Sequence, residues 1–286
     1  MKKIIILILL FTVTIGNAQV KKQKETSKPF VLGTIEEINS KILSEKRILN
    51  IYLPEGYNQN DTIKYPVTYL LDGSVDEDFI HVVGLFQFNS FSWINRVPKS
   101  IVVGIANIDR KRDFTYQTTI EEDKKRYLTC GKSANFISCI ETELQPFIEK
   151  KYKTNNSKTI IGQSLGGLLA TEIVLKKPNL FNKYIIISPS LWWNNGSLLN
   201  EESEIYQENF KDKIDIYIGV GKEGLTPSKI PHVMEVDANL LAEKLKSTKS
   251  KNVKVSFDYL PQEDHATITH QAIFNAMRIL YPETEK

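Results

Sequence analysis

Two apolar periodicities divide the chain, and their order predicts its architecture. Short β-branched or aromatic runs come first, at residues 31–39, 47–53, 66–71 and 101–105. Turn residues bound them: Pro54 and Glu55-Gly56-Tyr57 close the second, and Asp72-Gly73 end the third. The fourth is almost continuously branched, which suits a strand covered on both faces. Phe136, Ile140, Leu144 and Phe147 or Ile148 then recur every three or four residues, predicting a helix kinked or restarted near Pro146. Beyond it strands alternate with helices: strand 159–161, helix 165–177, strands 184–187 and 214–220, helix 233–246, strand 253–259 and a closing helix over 268–280. Antiparallel-looking strands followed by βα alternation predict an α/β fold, a mostly parallel sheet with helices on both faces. Ligands on such sheets lie beyond the carboxyl ends of the strands. Asp72-Gly73, Ser164, Gly221 to Glu223 and His265 all fall there.

The junction of strand 159–161 and helix 165–177 reads Gly162-Gln163-Ser164-Leu165-Gly166, a G-x-S-x-G pentapeptide. A serine on a tight strand-to-helix turn is pushed out at the top of a sheet, and the flanking glycines leave room for that turn. A serine hydroxyl attacks only when a base accepts its proton, and the base needs a carboxylate to hold its tautomer. Four histidines compete for the base. His265 lies between the last strand and the last helix, where the chain order serine, acid, histidine puts it. His270 falls within the helix, His81 in an amphipathic stretch before Val82-Val83, and His232 beside Pro231. The acid belongs beyond a strand end between Ser164 and His265, which favours Glu223. Asp237 is the second choice, and a serine-histidine dyad without a carboxylate is the third. For the oxyanion, the N–H after the nucleophile is that of Leu165, and a second donor is expected from Gly73 or Ser74 in the turn after the third strand. Asp72 would brace that turn.

Charge and composition narrow the function classes. Residues 1–18 combine Lys2-Lys3, an apolar centre from Ile4 and a small-residue end at Gly16-Asn17-Ala18, the pattern of a secretory signal cleaved after Ala18. A polar arm over 19–30 and a single domain over 31–286 follow. The expected location is periplasmic or secreted, and the apolar run is too short for a stable membrane span. Loss of Lys2 and Lys3 lowers the formal charge from +3 to +1, which offers no electrostatic case for nucleic acid. Lys21, Lys22 and Lys24 read as a solvated tail. Cys139 shares a helix face with Phe136 and Ile140, so a buried free thiol is favoured over a bridge to Cys130.

Several further stretches carry a family resemblance: Tyr65 to Gly73, Asp109-Arg110-Lys111-Arg112-Asp113-Phe114-Thr115, Glu143 to Ile148, Gly162 to Leu168, Ser188-Pro189-Ser190-Leu191-Trp192-Trp193, and Pro261 to His265. From about Arg47 to Tyr281 the chain resembles the esterase branch of the α/β-hydrolases that holds esterase D and the enterochelin and trilactone esterases of siderophore metabolism. Gln262 and Asp264 depart from the glycine and asparagine common there before the histidine. The resemblance implies Ser164 as nucleophile and His265 as base, with Arg110, Arg112, Trp192 and Trp193 lining the substrate side. It leaves the acid open, because some siderophore-hydrolysing members work with a dyad. The expected function is a serine esterase acting through an acyl-enzyme on a small-molecule or glycan-linked ester, with no metal or organic cofactor. Acyl transfer to a sugar or lipid acceptor, or a non-catalytic binding protein on the same fold, are the alternatives.

Overall fold

Alternation along each strand decides which side chain meets which layer of helices. The computed structural model describes residues 27–282; residues 1–18, expected to be a secretory signal, and Lys21, Lys22 and Lys24 lie outside the described residues. Contacts divide the chain into two units. Of the first, Met1–Val31, residues 27–31 are described and carry no helix or strand. The second, Leu32–Lys286, holds every helix and strand among the described residues.

Its eight strands are β1 (Thr34–Ser40), β2 (Glu45–Tyr52), β3 (Tyr65–Leu70), β4 (Ile101–Ile105), β5 (Thr154–Gln163), β6 (Lys183–Ile187), β7 (Ile214–Gly221) and β8 (Val253–Leu260). They form one sheet in the order β1-β2-β4-β3-β5-β6-β7-β8. β1 and β2 join antiparallel, and β4, β3, β5, β6, β7 and β8 run parallel. The expected mostly parallel sheet is therefore present.

The helices are α1 (Phe79–Asn89), α2 (Arg110–Phe114), α3 (Glu121–Arg126), α4 (Ser133–Cys139), α5 (Gln145–Lys151), α6 (Leu165–Lys176), α7 (Met234–Lys246) and α8 (Ile268–Leu280). Tyr184 and Ile186 of β6 pack with Leu168, Leu169 and Leu241 on one face, under α6 and α7. Ile185 and Ile187 point the other way, against Phe86 of α1 and Ile273 of α8. β7 divides likewise, with Ile216 and Ile218 on the first face and Tyr217 on the second. Strands buried on both faces need apolar residues at every position, which explains why their sequences lack a polar repeat.

The kink expected near Pro146 is a π-helical turn over Ile140–Leu144, joining α4 to α5. Proline has no N–H for the ladder, and the wide turn carries the chain past it. Cys130 and Cys139 are both free thiols, the second buried. Among the described residues no helix is long and apolar enough to cross a membrane.

Candidate active site

Ser164 is the single residue between β5 and α6, with φ 60° and ψ −118°. A non-glycine residue held there costs about 1–3 kcal/mol and persists only where its surroundings over-determine it. Those surroundings are visible. The Ser164 N–H donates to the Ile187 carbonyl at 3.0 Å, and its own carbonyl accepts from Ser190 N–H at 3.0 Å and Leu168 N–H at 2.9 Å. A Cβ on Gly162 would stand 2.3 Å from the Gly166 carbonyl oxygen, so α6 can fold back onto β5 only over a glycine.

His265 follows β8 in a loop tied to this elbow. Its carbonyl accepts from Gln163 Nε2 at 2.9 Å, and Asp264 Oδ1 accepts from the N–H groups of Ala266 and Thr267 at 2.8 and 3.1 Å. The imidazole then stands with Nε2 3.1 Å from Ser164 Oγ and Nδ1 2.6 Å from Glu223 Oε2. Glu223 Oε1 accepts a short hydrogen bond from Ser188 Oγ and one from Gly221 N–H at 3.2 Å. Its loop is held from behind, since Glu235 in the first turn of α7 accepts from Glu223 N–H at 2.8 Å and Gly224 N–H at 2.9 Å. The Glu223 side chain is only 3% exposed. Burial pushes its carboxyl pKa up, but hydrogen bonds from His265, Ser188 and Gly221 outweigh burial and hold it below the usual carboxylate range.

The remaining histidines are engaged elsewhere. Asp237, the second candidate acid, binds His232 Nδ1 at 2.8 Å instead of His265, and burial raises its pKa. His81 and His270 bond to each other.

The oxyanion side needs one correction. Leu165 N–H lies at the first position of α6, where the helix itself supplies no acceptor. The Gly73 N–H, however, donates to the Ile105 carbonyl at 3.1 Å and extends the pairing of β3 with β4. That commitment leaves Ser74, whose N–H makes only a long 3.3 Å contact with exposed Glu77. Asp72, at φ 54°, braces the turn as expected. Its carboxylate takes Arg110 Nε at 2.6 Å, Arg110 Nη2 at 2.9 Å and Asn107 Nδ2 at 2.6 Å. Arg110 Nη2 also reaches the Gln163 carbonyl at 3.2 Å, coupling the turn to the residue before Ser164.

Ser164 and His265 open onto a cavity of about 430 Å³ walled by Trp192, Tyr127, Met234, Arg110 and Lys111. Two residues expected on the substrate side are not there. Arg112 stands two residues after Arg110 in α2, and positions two apart on a helix face nearly opposite ways. Its guanidinium pairs with Glu45 and Asp113 and shapes the loop. Trp193 is fully buried, its Nε1–H donating to the Tyr116 carbonyl at 2.9 Å. Adjacent tryptophans turn to opposite sides, one to the cavity and one to the core. Sequence reasoning gave no role to Ser188, Ser190, Tyr127 or Lys111. Ser190 lines the cavity with its Oγ 3.3 Å from Ser164 Oγ. Position just past the end of β6 was the available signal for both serines.

Known proteins share this arrangement of elements. A family model described as "Putative esterase" matches residues 40–276. Among curated proteins the chain is similar to the ferri-bacillibactin esterase BesA of Bacillus subtilis (strain 168), 26% identical over 275 residues that cover 90% of this chain and 93% of that one. Among solved structures it is similar to an IroE-like serine hydrolase from Shewanella oneidensis, with TM-score 0.73 and 29% identity over 87% of this chain and 80% of that one. It is also similar to the BES protein from Bacillus cereus, with TM-score 0.76 and 27% identity over 91% of this chain and 100% of that one.

Proposed function

The chain belongs to this esterase family, with the α/β-hydrolase fold, and is a serine ester hydrolase; from that premise we propose a Ser164–His265–Glu223 mechanism acting on an aromatic or acyl ester of the siderophore type. Glu223, ionised and buried, takes the Nδ1–H of His265, which leaves Nε2 as acceptor for the Ser164 hydroxyl. Ser164 Oγ attacks the ester carbonyl carbon as its proton passes to His265. The N–H groups of Leu165 and Ser74 bind the resulting oxyanion. His265 then gives the proton to the departing alcohol, and a water activated by the same imidazole releases the acid from the acyl-enzyme.

The substrate class rests on two supports. The curated relative named above is a ferri-bacillibactin esterase. The cavity offers the Trp192 ring, together with Lys111 Nζ 5.0 Å from the Tyr127 ring centroid, a setting for a planar anionic group. The N-terminal pattern of residues 1–18 supports export, so the reaction is proposed to run outside the cytoplasm.

The observation that carries the reading is the unbroken hydrogen-bonded line from a buried carboxylate through His265 to a strained serine. Hydrolysis of p-nitrophenyl acetate and butyrate, with labelling by a fluorophosphonate probe, tests it. Wild-type protein should label at Ser164 and turn over both esters, and Ser164→Ala should do neither. Labelling that survives the substitution would refute it.

A further inference from the structure

The reaction leaves His81 and His270 without a part. His81 is the third residue of α1, which begins just after the turn holding Asp72 and Ser74; His270 is the third residue of α8, which begins just after the His265 loop. Both helices pack in one layer, with Phe79, Val82 and Val83 of α1 in the same apolar cluster as Ile268, Ala272 and Ile273 of α8. On top of that cluster the two imidazoles meet in solvent. Their centroids are 4.6 Å apart, their planes are inclined at 54°, and His270 Nδ1 stands 2.7 Å from His81 Nε2. Both residues are exposed. Only one of the facing nitrogens can carry a proton in that contact, and a neutral hydrogen bond open to water stabilises by no more than about 1 kcal/mol.

Two nitrogen donors converging from separately anchored helices form a preorganised chelate. We propose that His81 and His270 are a two-histidine site for a borderline divalent transition-metal ion, Cu²⁺, Ni²⁺ or Zn²⁺, which bridges α1 and α8. Metal–nitrogen bonds of about 2.0–2.1 Å at ordinary ligand angles need the nitrogens about 2.9–3.4 Å apart, so the rings must part by a few tenths of an ångström and each must turn its lone pair by about 40° off the line between them, a rotation open to exposed side chains. Imidazole donors select these ions over Mg²⁺ and Ca²⁺, which require oxygen, and rank Cu²⁺ above Ni²⁺ and Zn²⁺. Among the described residues no group of three or more His, Cys, Asp or Glu side chains could hold a metal. Water therefore fills the other positions, and the affinity falls well short of a four-ligand structural site. Because the paired geometry exists only in the folded chain, the ion stabilises the packing of α1 against α8.

The test is titration of the full chain with Cu²⁺ and Zn²⁺, followed by calorimetry, by electron paramagnetic resonance for Cu²⁺ and by thermal unfolding. One Cu²⁺ per chain with two nitrogen ligands is expected, Zn²⁺ should raise Tm, and Mg²⁺ should do nothing. His81→Gln and His270→Gln should each weaken Cu²⁺ binding at least tenfold and remove the Zn²⁺-dependent rise in Tm. His265→Gln, which abolishes hydrolysis under the mechanism above, should leave binding unchanged, so the two readings fail separately. Unaltered binding in both His81→Gln and His270→Gln, or a single-nitrogen Cu²⁺ signal in the wild-type chain, would overturn the site.

Discussion

Replacing Glu223 by glutamine removes one charge while keeping the shape, and the hydrogen bonds around it decide which way the amide turns. Oε1 accepts from Ser188 Oγ–H and from Gly221 N–H at 3.2 Å. A serine hydroxyl can rotate to become an acceptor, but a backbone N–H cannot. The amide oxygen must therefore occupy the Oε1 position, and the amide NH₂ must face His265 Nδ1 where a carboxylate oxygen stood at 2.6 Å. His265 Nδ1 is then forced to accept, its proton moves to Nε2, and Nε2 presents a donor to Ser164 Oγ instead of a lone pair. The wrong tautomer lowers kcat about 10⁴-fold in the serine-protease triad, equivalent to about 5 kcal/mol of barrier. Glu223→Gln should lose kcat/KM for p-nitrophenyl acetate by about 10³–10⁴-fold at pH 7.5. Its folded state and its unfolding midpoint should change far less. Asp237→Asn, at the carboxylate bound to His232, should stay within about threefold of wild type. A Glu223→Gln enzyme within tenfold of wild type would show that His265 and Ser164 act as a dyad and refute the reasoning.

Four further outcomes follow from the same geometry. Ser188→Ala removes a hydrogen bond to the Glu223 carboxylate, worth about 1.5–3 kcal/mol. Since the Glu223 pKa is held below 4.5 in the folded state, that stabilisation is present above pH 4.5 and is lost as pH falls through the depressed value. Urea unfolding should therefore show the variant destabilised at pH 7 and at pH 5, with the difference shrinking only below pH 4.5. Lys111→Ala should raise KM about two- to fivefold for an anionic ester and leave a neutral one unchanged, as befits a single exposed charge. Asp113→Ala would leave the buried Arg47 with Glu45 and the Ala106 carbonyl as its remaining partners, and loss of the charged hydrogen bond should lower the unfolding free energy by about 2 kcal/mol. Burial raises the Cys139 thiol pKa to about 11, so a thiol reagent should label Cys130 in the native chain and reach Cys139 only on unfolding.

Most of the sheet was legible because its strands are short, branched and bounded by turn residues. β4 and α8 run over the expected residues, Ile101–Ile105 and Ile268–Leu280. What escaped lacks a polar face or a polar gap. α1 reads Phe-Ile-His-Val-Val-Gly-Leu-Phe-Gln-Phe-Asn, with His81 and Gln87 among apolar residues on more than one face and a glycine at its centre, and gives no clean three-to-four repeat to separate helix from strand. β5 begins at Thr154, five residues before its apolar part, because Thr154-Asn155-Asn156-Ser157-Lys158 extends along a sheet edge region where polar side chains reach solvent. Pairing with β3 supplies the backbone order there, including an irregularity between Tyr65 and Val67.

The acid was the least legible part of the site, and the reason is a matter of hydrogen-bond supply. Glu223 and Asp237 both follow β7, and both side chains are nearly buried, at 3% and 6% exposed. Position just past the strand end favours Glu223 without excluding Asp237, whereas their pKa values move in opposite directions. Burial raises each carboxyl; what differs is the number of donors. Glu223 has an imidazole, a serine hydroxyl and a backbone N–H, whereas Asp237 has His232. Those extra donors exist because Glu235, on the first turn of α7, fixes the Glu223–Gly224 backbone, and because Ser188, just past the end of β6, turns its hydroxyl towards the same loop. Asp237 lies two residues further along α7, on the side away from that loop, and so meets a different histidine. A buried carboxylate stabilises a neighbouring imidazolium only if it stays ionised itself, so the residue with three donors is the one suited to serve His265.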